Sequence, residues 1–207
     1  MVGRYLADGW RVKRHDRSNS GRVVICAAKH EASYVEKLIS DAGYNCSSVE
    51  ERTVVKFHIV VNNLYHFLEC FGHKAHGKTL PGFVFELPPE KCKALIEGYL
   101  SGDGFVESDM YKAVTTVSKK LAYGISLLVQ RAYGVVASIR KCKTPNKKMI
   151  EGRIVNQRDF YQVRIPRSNR SAFIEGDYGY KLIRKNESTS TTGTVYNISV
   201  EGDESYI

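Results

Sequence analysis

The sequence predicts an α+β protein made of a duplicated α-β-β-α-β-β-α unit, with two antiparallel sheets and a pseudo-twofold axis through two helices. Two observations support this fold class. One short phrase occurs twice, and a similar order of helical and alternating segments follows each copy. We therefore expect two related halves, residues 1–87 and 88–185, and a separate segment at residues 186–207.

The repeated phrase reads M-V-G-R-Y-L-A-D-G at residues 1–9 and I-E-G-Y-L-S-G-D-G at residues 96–104. The two copies align Gly3 with Gly98 and Asp8 with Asp103. Small residues at the aligned glycines would let two helices approach closely. Each copy ends in an acid at the C-terminal tip of its helix, where the helix dipole disfavours negative charge. A bound cation is the simplest explanation for two such acids.

The first half begins with the short motif helix, and each later element has its own pattern. The predicted elements, in chain order, are a helix at 1–7, strands at 11–15 and 22–28, a helix at 31–42, a strand at 53–60 and a helix at 64–71. Residues 16–21 are polar and predict the turn between the first two strands. In the strand at 53–60, Val55, Phe57 and Ile59 share one face.

The second half repeats this order. Its predicted elements are a helix at 90–101, strands at 105–107 and 111–117, a helix at 118–133, and strands at 135–141 and 151–165. Ser118 suits the N-cap of the second helix, and Gly134 suits its end. A basic turn at 144–148 joins the last two strands. Beyond them, the polar run at 186–193 predicts a linker, and residues 195–200 alternate like a strand.

Composition restricts the class of protein. The chain has 207 residues, of which 43% are hydrophobic and 26% charged, as in soluble globular proteins. The sequence contains no run of about 20 apolar residues, so no membrane span is predicted. No signal peptide precedes the first motif. Five cysteines without a C-x-x-C pair favour reduced thiols in an intracellular, cytoplasmic protein over disulfides or a zinc site.

Positive charge is concentrated in two segments. The net charge is +9, and between residues 140 and 170 ten lysines and arginines face two acids. Between residues 11 and 29, six basic residues face one acid. A solvated surface that binds no partner usually carries side chains of both positive and negative charge. Dense positive charge at similar places after each motif therefore favours binding to nucleic acid.

The paired phrase resembles the LAGLIDADG motif of homing endonucleases, in particular the single-chain, two-motif kind carried by inteins. Residues 78–81, K-T-L-P, resemble the block that lies between the two motifs. Residues 118–138 resemble the leucine-rich helix that ends in a glycine. Residues 195–207 are similar to the penultimate block of an intein's splicing domain. The resemblance implies two sheets that form a saddle on double-stranded DNA, in a monomer.

The candidate catalytic and metal-binding residues lie at the ends of the motif helices. If the helices run side by side, Asp8 and Asp103 meet and repel unless a proton or a metal intervenes. Mg²⁺ or another divalent cation takes such oxygen ligands, and the predicted metal site comprises both aspartates with the residues before them, Ala7 and Gly102. Either acid alone could be an ordinary turn residue. The resemblance adds Lys78 as a catalytic cation, although a solvated loop lysine is the competing interpretation.

The second half has no clear equivalent of the K-T-L-P block, and Lys181 is its nearest candidate lysine. Residues that contact DNA are expected on the outer faces of the sheets, because alternate side chains of a β-ribbon can reach base edges in the major groove. In the first half these residues are Arg11, Lys13, Arg22, Lys56 and His58. In the second half they are Lys141, Lys143, Lys147, Lys148, Arg153, Gln157, Gln162 and Arg164.

The resemblance implies a site-specific endonuclease that hydrolyses both strands of DNA, with a divalent metal, at a long non-palindromic site. A nucleic-acid-binding relative without cleavage, such as an RNA maturase or a regulator, is the first alternative. Part of a protein-splicing element is the second. The segment at 195–207 lacks the His-Asn pair and the nucleophile that splicing needs, and no nucleophile block precedes the first motif. We therefore expect that the chain does not splice.

Overall fold

A computed structural model of the protein describes residues 1–13, 20–145, 147–150, 153–169, 172–176, 178–183, 188, 190 and 192. Its helices are α1 (Val2–Asp8), α2 (Ala32–Asp41), α3 (Asn62–Phe67), α4 (Lys74–Gly77), α5 (Pro89–Asp103) and α6 (Lys119–Tyr133). Its strands are β1 (Gly9–Lys13), β2 (Gly21–Ala28), β3 (Ser47–Glu50), β4 (Val54–Ile59), β5 (Gly104–Ser108), β6 (Tyr111–Thr116), β7 (Ser138–Cys142), β8 (Lys147–Ile150), β9 (Arg153–Asn156), β10 (Phe160–Pro166), β11 (Ala172–Glu175) and β12 (Tyr178–Lys181).

Two four-stranded sheets have the same topology. Their strand orders are β1-β2-β4-β3 and β5-β6-β10-β7, and every neighbouring pair is antiparallel. In both sheets the strand that directly follows a motif helix forms one edge. The last strand of each sheet in chain order, β4 or β10, lies in the middle of the sheet. The predicted α+β fold with a duplicated unit is confirmed.

The two motif helices α1 and α5 pack against each other at the centre of the molecule. Tyr5 and Leu6 of α1 and Ile96 and Tyr99 of α5 are fully buried there. They belong to one hydrophobic core that continues under both sheets. Because the halves share this core, the positions of the two helix ends are fixed relative to each other.

The helix caps follow the sequence. Pro89 opens α5, where a missing amide hydrogen costs nothing. The Ser118 side chain accepts a hydrogen bond from the amide of Leu121 and so caps α6. Gly134 ends α6 in the left-handed conformation, with φ of 63°.

Three elements differ from the prediction. Strand β3 was not predicted, because all four of its residues are exposed and show no alternation of burial. Residues 151–165 do not form one strand, since β9 and β10 are separate. Residues 147–150, which overlap the end of the basic turn predicted at 144–148, pair with β9 as a hairpin. Thr144 fixes the base of this hairpin, since its amide donates to the Asp159 carboxylate at 3.1 Å and its hydroxyl to the Arg158 carbonyl at 2.9 Å.

The second half also ends differently from the first. Helix α3 follows β4, whereas the hairpin β11–β12 follows β10 in the part of the chain that the structure describes. The predicted linker at 186–193 is outside the described residues except for positions 188, 190 and 192, and the segment at 195–207 is outside them entirely. Among the described residues, no helix has the length and apolar character needed to cross a membrane.

Candidate active site

Glycines bring the backbones of α1 and α5 into direct contact. A Cβ atom on Gly3 would collide with the carbonyl oxygen of Leu95 and lie 2.6 Å from the amide nitrogen of Tyr99. A Cβ on Gly98 would lie 3.3 Å from the amide nitrogen of Arg4. The close approach predicted from the aligned glycines is therefore present.

The C-terminal ends of the two helices lie side by side. Gly102 packs against the Ala7 side chain and the Asp8 carboxylate, so close that a side chain at position 102 would collide with both. Burial raises the pKa of Asp103, and the nearby charge of Asp8 raises it further, while Lys78 opposes both effects. Burial also raises the pKa of Asp8, and the charge of Arg4 opposes this most strongly. The two predicted acids therefore share one electrostatic site.

Lys78 is buried against the end of α1. Its ammonium donates to the carbonyl oxygens of Leu6 at 2.7 Å and of Tyr5 and Ala7 at 3.2 Å. A cation at a helix C-terminus complements the helix dipole. Burial lowers the pKa of Lys78 to about 8, although Asp103 and Asp8 counteract the effect. The interpretation as a solvated loop lysine is wrong, because this side chain is part of the aspartate site.

The second half of the molecule holds Lys78 in place. The hydroxyl of Ser118 donates to the Lys78 carbonyl oxygen at 2.6 Å, and the same hydroxyl caps α6. The amide of Thr79 donates to the carbonyl of Phe71 at 3.0 Å. The lysine that contacts the end of the first motif helix is thus positioned by both halves.

A cavity of about 260 Å³ opens beside Asp103. Lys78, Tyr99 and Phe160 line it together with Asp103 and Ala7. The Tyr99 hydroxyl donates to the carbonyl of Thr115 at 2.9 Å, and burial raises the pKa of Tyr99 well above its usual value. This neutral phenol, an acid and an ammonium surround a space large enough for a phosphate group.

Arg4 is a site residue that the sequence patterns did not indicate. Only 2% of its side chain is exposed. Its Nη2 lies 3.2 Å from the Asp8 carboxylate and 2.8 Å from the Glu31 carboxylate, and its Nη1 donates to the carbonyl of Ser101. A charged residue between Gly3 and Tyr5, on the stripe of α1 that packs on α5, was the available signal.

The oxygen atoms at the helix ends suit a hard divalent cation. No cluster of three or more histidine, cysteine or acidic side chains forms a metal site among the described residues. Asp103 lines the cavity, and the charge of Asp8 is close enough to raise the pKa of Asp103. Such a pair suits Mg²⁺, since this ion keeps several waters and uses one or two carboxylates with substrate phosphates. Of the predicted metal-site residues, Ala7 and Asp103 line the cavity, and Gly102 packs against Ala7 and the Asp8 carboxylate.

On the first sheet, strand register separates the predicted DNA contacts into two groups. Directly paired residues of antiparallel strands point to the same face. Val24 pairs with both Trp10 and His58, and Cys26 pairs with Lys56, so Trp10, His58 and Lys56 share the face that also carries Arg22. We call this face, opposite the core residues Val23, Ile25 and Phe57, the outer face of the first sheet.

Arg11 and Lys13 lie on the other face, and their prediction as outer-face residues was wrong. Arg11 pairs with the core residue Val23. Its guanidinium donates to the carbonyl of Tyr65 at 3.1 Å and stacks over the Tyr65 ring, so it is occupied within the protein. Trp10, which no charge or motif indicated, takes the outer position instead, with 38% of its surface exposed.

The second sheet shows a similar division. Gln162 and Arg164 lie on its outer face, as predicted, and Arg140 joins them as the direct partner of Gln162. Arg164 stacks over the Tyr111 ring and pairs with Glu107 at 2.5 Å. Lys141 pairs with Tyr161, which packs on the core, so its predicted outer-face position was wrong.

The other predicted contacts of the second half lie in loops or outside the described side chains. Lys143 and Gln157 are in the loops that flank the hairpin β8–β9, and the Gln157 side-chain oxygen is buried without a hydrogen-bond partner. The side chains of Lys147, Lys148 and Arg153 are outside the described part of the structure. For all of these residues, DNA contact stays a prediction.

Lys181 is not at the end of either motif helix. Its ammonium donates to the carbonyl of Ala137 at 2.8 Å, just before β7. Burial lowers its pKa, and neither aspartate affects it. The idea that Lys181 is the second-half equivalent of Lys78 is therefore not supported by its position.

The family and the fold agree with these observations. Residues 90–175 match the model of the LAGLIDADG-like domain. The fold of the chain is that of the LAGLIDADG homing endonucleases, as the sequence resemblance predicted. The homing endonuclease I-DmoI is one solved structure with this fold, with a TM-score of 0.52 and 16% identity over 79% of this chain and 84% of that one. Its complex with DNA and Ca gives a TM-score of 0.54, with 16% identity and 79% of each chain covered.

The curated relatives are much longer proteins. ATP-dependent DNA helicase Hel308 of Thermococcus kodakarensis is 31% identical over 67% of this chain and 14% of its own length. DNA-directed RNA polymerase subunit Rpo1C of Methanocaldococcus jannaschii is 30% identical over 63% of this chain and 15% of its own. An iron-sulfur cluster assembly SufBD family protein of Mycobacterium tuberculosis is 30% identical over 66% and 17%. The chain thus spans about a sixth of the length of these relatives.

Proposed function

We propose that the protein is a site-specific DNA endonuclease that hydrolyses one phosphodiester in each strand of a long, non-palindromic site. The observation that carries the proposal is the meeting of Asp8 and Asp103 at one end of two helices in backbone contact. Two half-buried acids placed close enough to repel each other are unfavourable for folding alone. They are explained if they serve a reaction that requires concentrated negative charge.

Divalent cations are the proposed cofactors, with Mg²⁺ the first choice. Asp8 and Asp103 would hold them, with the carbonyl oxygens of Ala7 and Gly102 beside the carboxylates. Bound there with DNA, such a cation supplies Lewis acidity toward the scissile phosphate. The I-DmoI structures with DNA and Ca or Mn are consistent with this use of divalent ions in that protein.

The protein's own residues would orient the phosphate and balance its charge. Lys78 presents a positive charge in the cavity beside Asp103, where it can stabilise the extra charge of the transition state. The three carbonyl oxygens that it contacts hold the ammonium in position before the substrate arrives. Tyr99 closes the wall of the cavity and keeps its proton, because its pKa is raised.

The outer faces of the two sheets are the proposed DNA surface. Arg22, Lys56 and His58 on the first sheet and Arg140, Gln162 and Arg164 on the second provide cations and amides at alternate positions. Because these sets differ, each half would read a different sequence, which suits a non-palindromic site. Both acids belong to one chain, so a monomer would suffice.

We also propose that the chain belongs to an inserted element of the intein type. A helicase, an RNA polymerase subunit and a SufBD family protein have different names and purposes, yet each matches this chain over only 14–17% of its length. A mobile segment placed in different hosts explains this pattern. Genes for the same hosts that lack the segment, with intact flanks, are expected. A segment present in every copy of each host would contradict the idea.

The direct test is to incubate the protein with Mg²⁺ and a library of random double-stranded DNA and to sequence the cut ends. The proposal predicts paired ends that share one long asymmetric consensus. Selection of bound DNA from the same library, with EDTA in place of Mg²⁺, provides the comparison. Enrichment of one sequence without any cut ends would favour the binding protein without cleavage and contradict the endonuclease.

A further inference from the structure

The two motif helices are not equivalent at the position that follows the aligned glycine. The first helix has Arg4 there, whereas the second has Tyr99. Both side chains are buried, with 2% and 1% of their surface exposed. A tyrosine is readily accommodated in a core, but a buried guanidinium needs charged partners and is costly to desolvate. The arginine therefore requires an explanation beyond helix packing.

Arg4 and Lys78 make crossed and equivalent contacts with the helix ends. Lys78 donates to the carbonyl of Leu6, two residues before Asp8, and lines the cavity beside Asp103. Arg4 donates to the carbonyl of Ser101, two residues before Asp103, and lies 3.2 Å from Asp8. Leu6 and Ser101 are aligned in the repeat. Each cation thus holds the end of one motif helix and lies beside the acid of the other.

The electrostatics of the acids follow the same crossed pattern. After burial, which raises both pKa values, Arg4 has the largest opposing effect on the pKa of Asp8. For Asp103 the largest opposing effect is that of Lys78. Lys181, which sequence position alone suggests as the partner of Lys78, contacts Ala137 instead. The second cation of the site is in the first helix and not in the second half.

We propose that Arg4 is a positioning residue that does for the Asp8 centre what Lys78 does for the Asp103 centre. Its Nη2 fixes the Asp8 carboxylate and is itself held by the Glu31 carboxylate at 2.8 Å, while its Nη1 holds the end of α5 through the Ser101 carbonyl. This inference rests on the proposed endonuclease function. It implies that the two DNA strands are cut at two centres, and that these centres depend on different positively charged side chains, Arg4 and Lys78.

Strand-resolved cleavage tests the inference. A target duplex carries a different dye on each strand, and the variants Arg4→Met, Arg4→Lys and Lys78→Met are compared with the wild type. Arg4→Met should slow one strand about tenfold more than the other, Lys78→Met should show the opposite bias, and Arg4→Lys should restore most of the rate. The matched control Lys181→Met removes a lysine that contacts a carbonyl elsewhere and should cut both strands at the wild-type rates.

A second measurement uses neither DNA nor metal. In ¹³C NMR titrations of the side-chain carboxyls, Arg4→Met should raise the pKa of Asp8 more than that of Asp103, and Lys78→Met should do the reverse. If Arg4→Met does not fold, Arg4→Gln replaces it, because the amide can still donate to Ser101 without carrying charge. An arginine that only stabilises the fold would shift neither acid selectively.

The possible failures are distinguishable. A wild-type protein that cuts no DNA contradicts the proposed function, and the inference falls with it. A wild-type protein that cuts both strands, with an Arg4→Met variant that slows them equally or shares the bias of Lys78→Met, contradicts only the role of Arg4. Loss of activity in Lys181→Met with a one-strand bias would assign the second cation to Lys181 and overturn the inference.

Discussion

The first and second halves of this molecule form similar sites from different residues. In each half a helix ends in an aspartate, and an edge strand of a four-stranded sheet begins at the next residue, a glycine. The supporting cations are not repeated: both come from the first half, a buried arginine from α1 and a lysine from the loop that follows α4. The two halves therefore repeat the backbone geometry of the site, but they do not repeat the positively charged side chains that support it.

The largest expected effect concerns what the halves have in common. Asp8→Asn and Asp103→Asn keep size and polarity but remove the charge that holds a divalent cation. Each change should reduce cleavage by at least about a hundredfold while DNA remains bound. Cleavage, binding and thermal melting are measured on the same samples. A stable variant that binds DNA and still cuts at the wild-type rate would show that the acids are only turn residues.

The helix contact offers the next test, because the two aligned glycines are not equally crowded. Gly3→Ala would place a methyl group against the Leu95 carbonyl, and we expect a loss of about 3 kcal/mol in the free energy of unfolding. Gly98→Ala meets its nearest atoms at 3.3 Å, and the helix propensity of alanine offsets this strain, so its change should stay within about 1 kcal/mol. Urea unfolding compares the two. Equal losses in the free energy of unfolding would contradict this difference, because they would mean that the helices move apart equally to accommodate either methyl group.

The different cations predict a pH-dependent difference between the strands. The pKa of Lys78 is lowered by burial to about 8, so this ammonium loses its proton as the pH rises through that value. A guanidinium keeps its charge over the same range. The value of kcat/KM for the strand cut beside Asp103 should therefore fall above pH 8, while the other strand is less affected. In Lys78→Arg the fall should disappear, and parallel profiles in the wild type would contradict the assignment.

The smallest expected effect distinguishes the two faces of the first sheet. Arg22→Ala with Lys56→Ala should weaken DNA binding and flatten its salt dependence by roughly 0.9 in log K against log salt for each phosphate that is no longer neutralised. Lys13→Ala, a control on the opposite face, should leave the slope unchanged. The single tryptophan, Trp10, lies on the outer face, and its fluorescence can report binding. A larger effect from Lys13 would reverse the orientation of the sheet on DNA.

Much of the fold was predictable because it depends on local patterns. The repeated motif, the Ser118 cap, the Gly134 terminus and the alternation around Phe57 each specify an element through backbone chemistry that a single stretch of sequence contains. Strand β3 was not predictable in this way, since its residues are exposed on both faces. The division of residues 151–165 was also hidden, because it depends on contacts of Thr144 with Arg158 and Asp159.

The site was predicted in part, and the misses have one cause. Asp8, Asp103 and Lys78 meet as expected, because the motif and the block between the motifs contain them. Arg11 was assigned to the wrong face, because its charge suggested an outward position while its pairing with Val23 places it on the core face. Successive residues of a strand point to opposite faces, so an error of one residue exchanges the two faces. Arg4 was missed because its partners come from distant parts of the chain, Glu31 and Ser101.

The central claim is that Asp8 and Asp103 together hold the divalent cations of a DNA-cutting centre. A crystal of the protein with its target duplex and Mn²⁺, measured near the manganese absorption edge, tests this most directly. The account predicts anomalous peaks at the ends of α1 and α5, within about 2.0–2.6 Å of carboxylate oxygens from both aspartates and next to the scissile phosphates. Bound DNA with no anomalous peak at either aspartate, or with peaks held only by residues elsewhere, would contradict the account.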